Sequence, residues 1–277
     1  MRGRVLTTVR LGHASQALWA ITGREVHKFV RQKGRLFSAL VRPSLWLLVF
    51  ALGFQNVFGV SILPPYETYI EYQVYILPGL LGMVLLFNGM QSSLAMVYDR
   101  EMGMMRLLLT APLPRWYLLF SKLVAGTLLS MLQAYAFLLI AALFGVDFPW
   151  LGVLCATPAL LLGGLMLGAL GLLLSVNIKQ LENFAGTMNF VIFPMFFISP
   201  ALYPLWKLEE SGALVVYHVA QWNPFSHAVE LIRFALYGQF NGLSLAVVAG
   251  SLALFFLLAV WGYDPQRGLL KRSGRPG

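Results

Sequence analysis

Six stretches of this chain are long, apolar and free of Asp, Glu, Lys, Arg and His: about Ser44 to Leu63, Val74 to Tyr98, Leu123 to Gly145, Leu151 to Val176, Ala185 to Leu205 and Leu243 to Tyr263. A helix needs about 20 apolar residues to cross the hydrocarbon of a bilayer, and each stretch meets that length. The expected fold class is therefore all-α and integral to a membrane, with six transmembrane helices. Overall usage agrees, since 58% of residues are hydrophobic and only 11% are charged. No soluble globular domain is built from such a mixture.

The formal net charge of +9 would suit a nucleic-acid partner if the cations belonged to a soluble fold. Instead they fall between the apolar runs, as in loops lying beside anionic lipid, so lipid and not nucleic acid is the expected contact. With the N-terminus inside, eighteen Lys or Arg fall on inner segments and only Lys207 and Arg233 on outer ones. That asymmetry predicts an N-in, C-in, multi-pass topology. Residues 1–42 hold nine Lys or Arg against one acid, Glu25. At 100° per residue, Arg24, Lys28, Arg31 and Arg35 fall opposite Leu18, Val26, Phe29, Leu36, Phe37 and Leu40, with Lys33 an exception on the apolar side. A basic amphipathic helix in the membrane interface is expected there, and no cleavable signal peptide. The expected organisation is residues 1–42 as that helix, 43–264 as the membrane domain, and 265–277 as a basic inner tail.

Between the fifth and sixth runs, residues 203–241 form a long outer connection with two apolar pieces, GALVVYHVAQW and NPFSHAVELIRFALYG. Each is shorter than a span, which suits re-entrant or interfacial helices. Asn223 followed by Pro224 fits an N-cap and first helical position. Glu230 and Arg233, three apart, are placed to pair.

Polar residues inside the apolar runs are the candidates for lining a translocation path: Gln55, Asn56, Asn88, Gln91, Gln133 and Asn189. The competing reading is that these amides join neighbouring helices by hydrogen bonds. Asn88, Gln91 and Ser92 share one helical face, which should look into protein or water. Gly164 and Gly168 form a GxxxG pattern in the fourth run, most simply for close helix packing within the chain. No charge in mid-span argues against a proton- or ion-coupled carrier. Neither HExxH nor a Cys/His nucleophile arrangement is present, and His13, His27, His218 and His227 are too dispersed for a metal site. Cys155 is the one cysteine, so no intrachain disulfide forms. GxxxxGK[ST] is also missing, so the chain has no phosphate-binding loop for ATP. Any energy it uses comes from another polypeptide.

Asp99 to Trp116, DREMGMMRLLLTAPLPRW, is the charged segment between the second and third runs, on the side with the inner cations. It opens with Asp99, Arg100 and Glu101, continues through an apolar Leu107 to Leu109, and closes at Pro112 and Pro114. DREMG at Asp99 to Gly103, with Pro112 nine residues later, resembles the coupling segment of the membrane subunits of type-2 ATP-binding cassette exporters. NPFSHAVELIR at Asn223 to Arg233, preceded by SPALYPL at Ser199 to Leu205, is similar to the element before their last span. Met104, Met105 and Arg106 depart from common family residues.

The resemblance implies a permease subunit that moves a drug-like, lipid-linked or saccharide substrate out of the cytoplasm. It would work as a homodimer or paired permease in the inner membrane of a prokaryote. Two copies of a separate ATPase subunit would bind ATP and Mg, so this chain would have no cofactor and no catalytic residue of its own. A coupling helix at 99–116 would present Asp99, Arg100, Glu101, Gly103, Arg106 and Pro112 to the ATPase. Tyr203, Asn223, Pro224, Glu230 and Arg233 would help close the outer exit. A nucleotide-independent membrane scaffold or insertion factor is the alternative function, and it leaves both motifs without a role.

Overall fold

A computed structural model describes residues 33–54, 64–66, 70–101, 114–178 and 180–263, together with a few helical positions between 16 and 27. The elements are α1 (Lys33–Phe54), α2 (Tyr72–Glu101), α3 (Arg115–Leu143), α4 (Trp150–Cys155), α5 (Thr157–Asn177), α6 (Leu181–Phe197), α7 (Leu205–Glu210), α8 (Leu214–Trp222), α9 (Pro224–Leu236) and α10 (Gly242–Gly262). Four of them, α2, α3, α5 and α10, are long and apolar enough to cross a membrane. Within the described residues α1 and α6 fall short of that measure: α1 contributes an apolar Leu40–Val49, and α6 has 17 residues.

α2 is the central post. Residues 74–90 are all buried, with α1, α3, α5, α6 and α9 packed around it. A helix apolar on every side has no face to offer water, so it takes the middle of the bundle. α5 lies closest, and glycine makes that approach possible. A Cβ on Gly89 would lie 3.0 Å from the Gly168 backbone, and one on Gly171 would lie 2.6 Å from Ser93 Oγ. The GxxxG pattern therefore serves packing within the chain, and dispersion at short range holds the crossing. α10 packs on α5 and α9, while Leu254, Leu257, Leu258 and Trp261 on its other side are exposed.

Several expected boundaries move. The fourth run is not one helix: it breaks at Ala156 into α4 and α5. Pro158 has no N–H to donate to the preceding turn, which interrupts the ladder there. The fifth run ends at Phe197 and not at Leu205, because Ser199 precedes Pro200 and is steered away from helical geometry. Ser199 then closes a turn, donating to Phe196 O at 2.6 Å and accepting from Ala201 N at 3.3 Å. α1 continues unbroken through the expected junction at 42/43, with Pro43 inside it. Asp99, Arg100 and Glu101 do not begin a separate helix but form the last turn of α2, and Arg115 and Trp116 begin α3. The rest of the expected coupling helix lies outside the described residues, as do most of residues 1–32 and the tail.

Candidate functional site

Two polar constellations sit on α2. The first gathers at its N-terminal end, where α9 and the turn after α6 meet it. Asn223 caps α9, its Oδ1 accepting from Phe225 N at 3.0 Å, and Pro224 takes the first helical position. The Asn223 amide also donates to Met195 O at 2.8 Å and Ile198 O at 2.7 Å, satisfying carbonyls that the end of α6 leaves open. One side chain thus starts one helix and finishes another.

Arg233, 3% exposed, lies three turns further along α9. Nη1 donates to Glu230 Oε1, and Nη2 donates to Pro200 O at 2.6 Å. Its guanidinium stacks over the Tyr75 ring of α2 at 4.3 Å, and the Tyr75 hydroxyl donates to the same Pro200 carbonyl at 3.1 Å. Tyr72 donates to Leu202 O at 2.7 Å, while Tyr66 meets Tyr237 edge-on at 4.9 Å. Arg233 Nε and the Tyr66 hydroxyl are both buried without a hydrogen-bond partner. Burial pushes the Tyr66 phenol well up, against a smaller opposing effect of the Arg233 cation. Tyr237 is pushed up to about 12, by burial first, with Asp147 adding and Arg233 opposing. The phenols around the cation therefore stay neutral, and Glu230 supplies the compensating charge. Tyr203 belongs to the same turn and donates its hydroxyl to Phe197 O. Gly79 lets the turn settle on α2, since a Cβ there would lie 2.5 Å from Ala201 O.

All five residues expected at the outer gate thus meet in this region. Tyr72, Tyr75 and Gly79 complete it and were not anticipated. The spacing of Tyr72 and Tyr75, three apart at the head of a helix, was the signal available.

The second constellation is midway along α2. Asn88 and Gln91 line a cavity of about 20 Å³, room for one water, together with Arg42, Pro43, Met83, Val84 and Phe87. The Arg42 guanidinium lies 4.3 Å from the centre of the Phe87 ring. Phe87 is about 22 Å from Tyr72 and about 21 Å from Glu101 along a helix about 45 Å long. Wherever a hydrocarbon layer of about 30 Å sits on α2, Phe87 is inside it. No apolar run contains a charge, as read from the sequence, yet the Arg42 side chain reaches this level from just outside the first run. Arg42 precedes the first apolar run in sequence, but α1 passes α2 at a level that brings its side chain against Phe87.

The other candidates scatter. Gln133 is buried on α3 with Oε1 lacking a partner, and it does not line this cavity. Asn189 is exposed on α6. Glu101 is exposed at the far end of α2, where the side chains of Asp99 and Arg100 are not described. Gln55, Asn56, Gly103, Arg106 and Pro112 lie outside the described residues.

The model of the ABC-2 type transporter family matches residues 16–237, most of the chain and both of these constellations. The chain belongs to the ABC-2 type transporter family. Among its relatives, the transport permease ycf38 of Cyanophora paradoxa is 27% identical over 79% of this chain and 73% of its own. The inner membrane transport permease YadH of Escherichia coli K12 is 24% identical over 93% of this chain and 97% of its own. Nodulation protein J of Rhizobium leguminosarum bv. viciae is 30% identical over a shorter region, 36% of this chain and 37% of its own. An ABC-2 family permease is a transport subunit and an integral membrane protein, and the family normally pairs with an ABC ATPase.

Proposed function

We propose that this permease is the membrane half of an ATP-driven exporter, moving a drug-like, lipid-linked or saccharide substrate out of the cytoplasm. Two copies of it, or one with a related permease, form the path. Each rests on an ATPase subunit that binds ATP and Mg. The membrane is the inner membrane of a prokaryote, which is where the name of the relative YadH puts that protein. Both termini are cytoplasmic and the spans number six, with α1 and α6 serving as the first and fifth beside the four long helices. In this reading Asp99, Arg100, Glu101, Gly103, Arg106 and Pro112 meet the ATPase, and Asn88, Gln91 and Gln133, with Gln55, Asn56 and Asn189, contribute to the path. Tyr203, Asn223, Pro224, Glu230 and Arg233 hold the exit shut.

The observation that carries this reading is the continuity of α2. One helix ends in Asp99, Arg100 and Glu101, and its other end is clamped by Arg233 through Tyr75. Nucleotide-driven closure of the ATPases against one end has a stiff route to the other, so ATP binding biases the balance between inward- and outward-facing states. Co-expression with an ABC ATPase subunit from the same genome provides the test. Glu101→Lys and Gly103→Pro should abolish complex recovery or substrate-stimulated ATP hydrolysis. If both stay at wild-type level, the coupling role is wrong.

A further inference from the structure

We propose that Arg42, with Asn88 and Gln91, forms a binding site for the oxyanion head of an amphiphile, whose apolar tail lies along α1. The charge is in the wrong solvent unless something meets it. Its guanidinium is at the depth of Phe87, inside the hydrocarbon layer, yet Arg42 is exposed on the chain. A cation at such depth faces a water-filled cavity or an opposite charge. Among the described residues no carboxylate pairs with it, and Asn88 and Gln91 make no side-chain hydrogen bond. The carboxamides therefore have N–H donors to offer beside a guanidinium whose planar fork suits phosphate, carboxylate or sulfate.

The tail has a place as well. Leu45 and Val49 follow Arg42 at three and seven residues, on the same face of α1, and both are more than half exposed. Head and tail thus have separate partners on one helix. The cavity beside Arg42 holds only about 20 Å³, so the head enters it with an oxygen while the rest stays at the rim. This site does not depend on ATP-driven export, and binding measured without nucleotide stands or falls by itself.

The experiment uses the full chain in detergent micelles and measures binding of dihexanoyl phosphatidic acid by native mass spectrometry. Dihexanoylglycerol and inorganic phosphate serve as probes lacking the head or the tail. Wild-type protein should retain the phosphatidic acid and neither control. Arg42→Gln should weaken retention about tenfold or more, the loss of a charge-assisted pair. Arg42→Lys should retain part of it. Asn88→Asp, which supplies an internal carboxylate, should remove it in a chain that still elutes as folded. Equal retention by wild type and Arg42→Gln overturns the site, and equal competition by inorganic phosphate overturns the role of the tail. Native membrane extracts separate the sources. An amphiphile recovered with wild type but not Arg42→Gln, and matching bulk phospholipid, is a structural lipid. One enriched far above its membrane abundance is cargo.

Discussion

Replacing Arg233 with Ala isolates the node at the head of α2. The substitution removes the donor to Pro200 O, the partner of Glu230 and the cation over Tyr75. Breaking a buried pair costs about 3–5 kcal/mol, because the remaining charge is uncompensated. Glu230 is 24% exposed and regains some water, and Pro200 O keeps its bond from Tyr75, so the lower end applies. A loss of about 3 kcal/mol corresponds to about 6–12 °C in the thermal midpoint. Adding Glu230→Gln and changing Arg233 to Met leaves no orphan charge and refills the volume, so this pair should recover at least about half of the loss. Thermal unfolding of the purified protein, followed by intrinsic fluorescence and size-exclusion recovery, reads both. A shift below about 2 °C for Arg233→Ala would refute the reasoning, as would a double variant no better than the single one.

Asn223→Ala should cost about 2 kcal/mol in the same assay, from one helix cap and two carbonyl bonds; Asn223→Asp should be no better, since it keeps the cap acceptor but loses both donors. A loss confined to Ala would show that the cap alone matters. Gln133→Leu should leave stability unchanged or raise it by about 1 kcal/mol, because Oε1 is buried without a partner. A large loss would mean that Oε1 is satisfied. Gly79→Val should abolish recovery of folded protein, since a Cβ there already lies 2.5 Å from the Ala201 backbone oxygen, which cannot swing aside. Tyr237 is raised to about 12, above the unfolded value of about 10, so its stabilising preference is intact below pH 10 and is lost between about 10 and about 12. In an ultraviolet titration of native protein, Tyr237→Phe should remove phenolate signal near the upper value and not the lower.

Local features were the legible ones. The cap at Asn223 and Pro224, the pairing of Glu230 with Arg233 and the GxxxG of α5 all follow from spacings of one to four residues, and the structure contains each. What spacing does not carry is the meeting of distant segments. Pro200 is 33 residues from Arg233, and nothing near either marks their bond. Arg42 sits outside every apolar run in the sequence, and only the level at which α1 crosses α2 puts it beside Phe87. Prolines misled in a different way. Pro158 and Pro200 interrupt their runs while Pro43, Pro78 and Pro194 remain within helices, a choice made by surrounding packing and not by the proline itself.

The crossing of Gly89 and Gly168 divides α2 into unequal arms. About 18 Å separates Gly89 from Glu101, and about 25 Å separates it from Tyr72. If that tight contact is a fulcrum, a nudge at the acidic tip swings the tyrosine tip in the opposite direction, about 1.4 times as far. A tilt of about 5° then carries Tyr75 about 2 Å, enough to part a hydrogen bond from Pro200 O. A contact between two glycines would then set the gearing of the bundle.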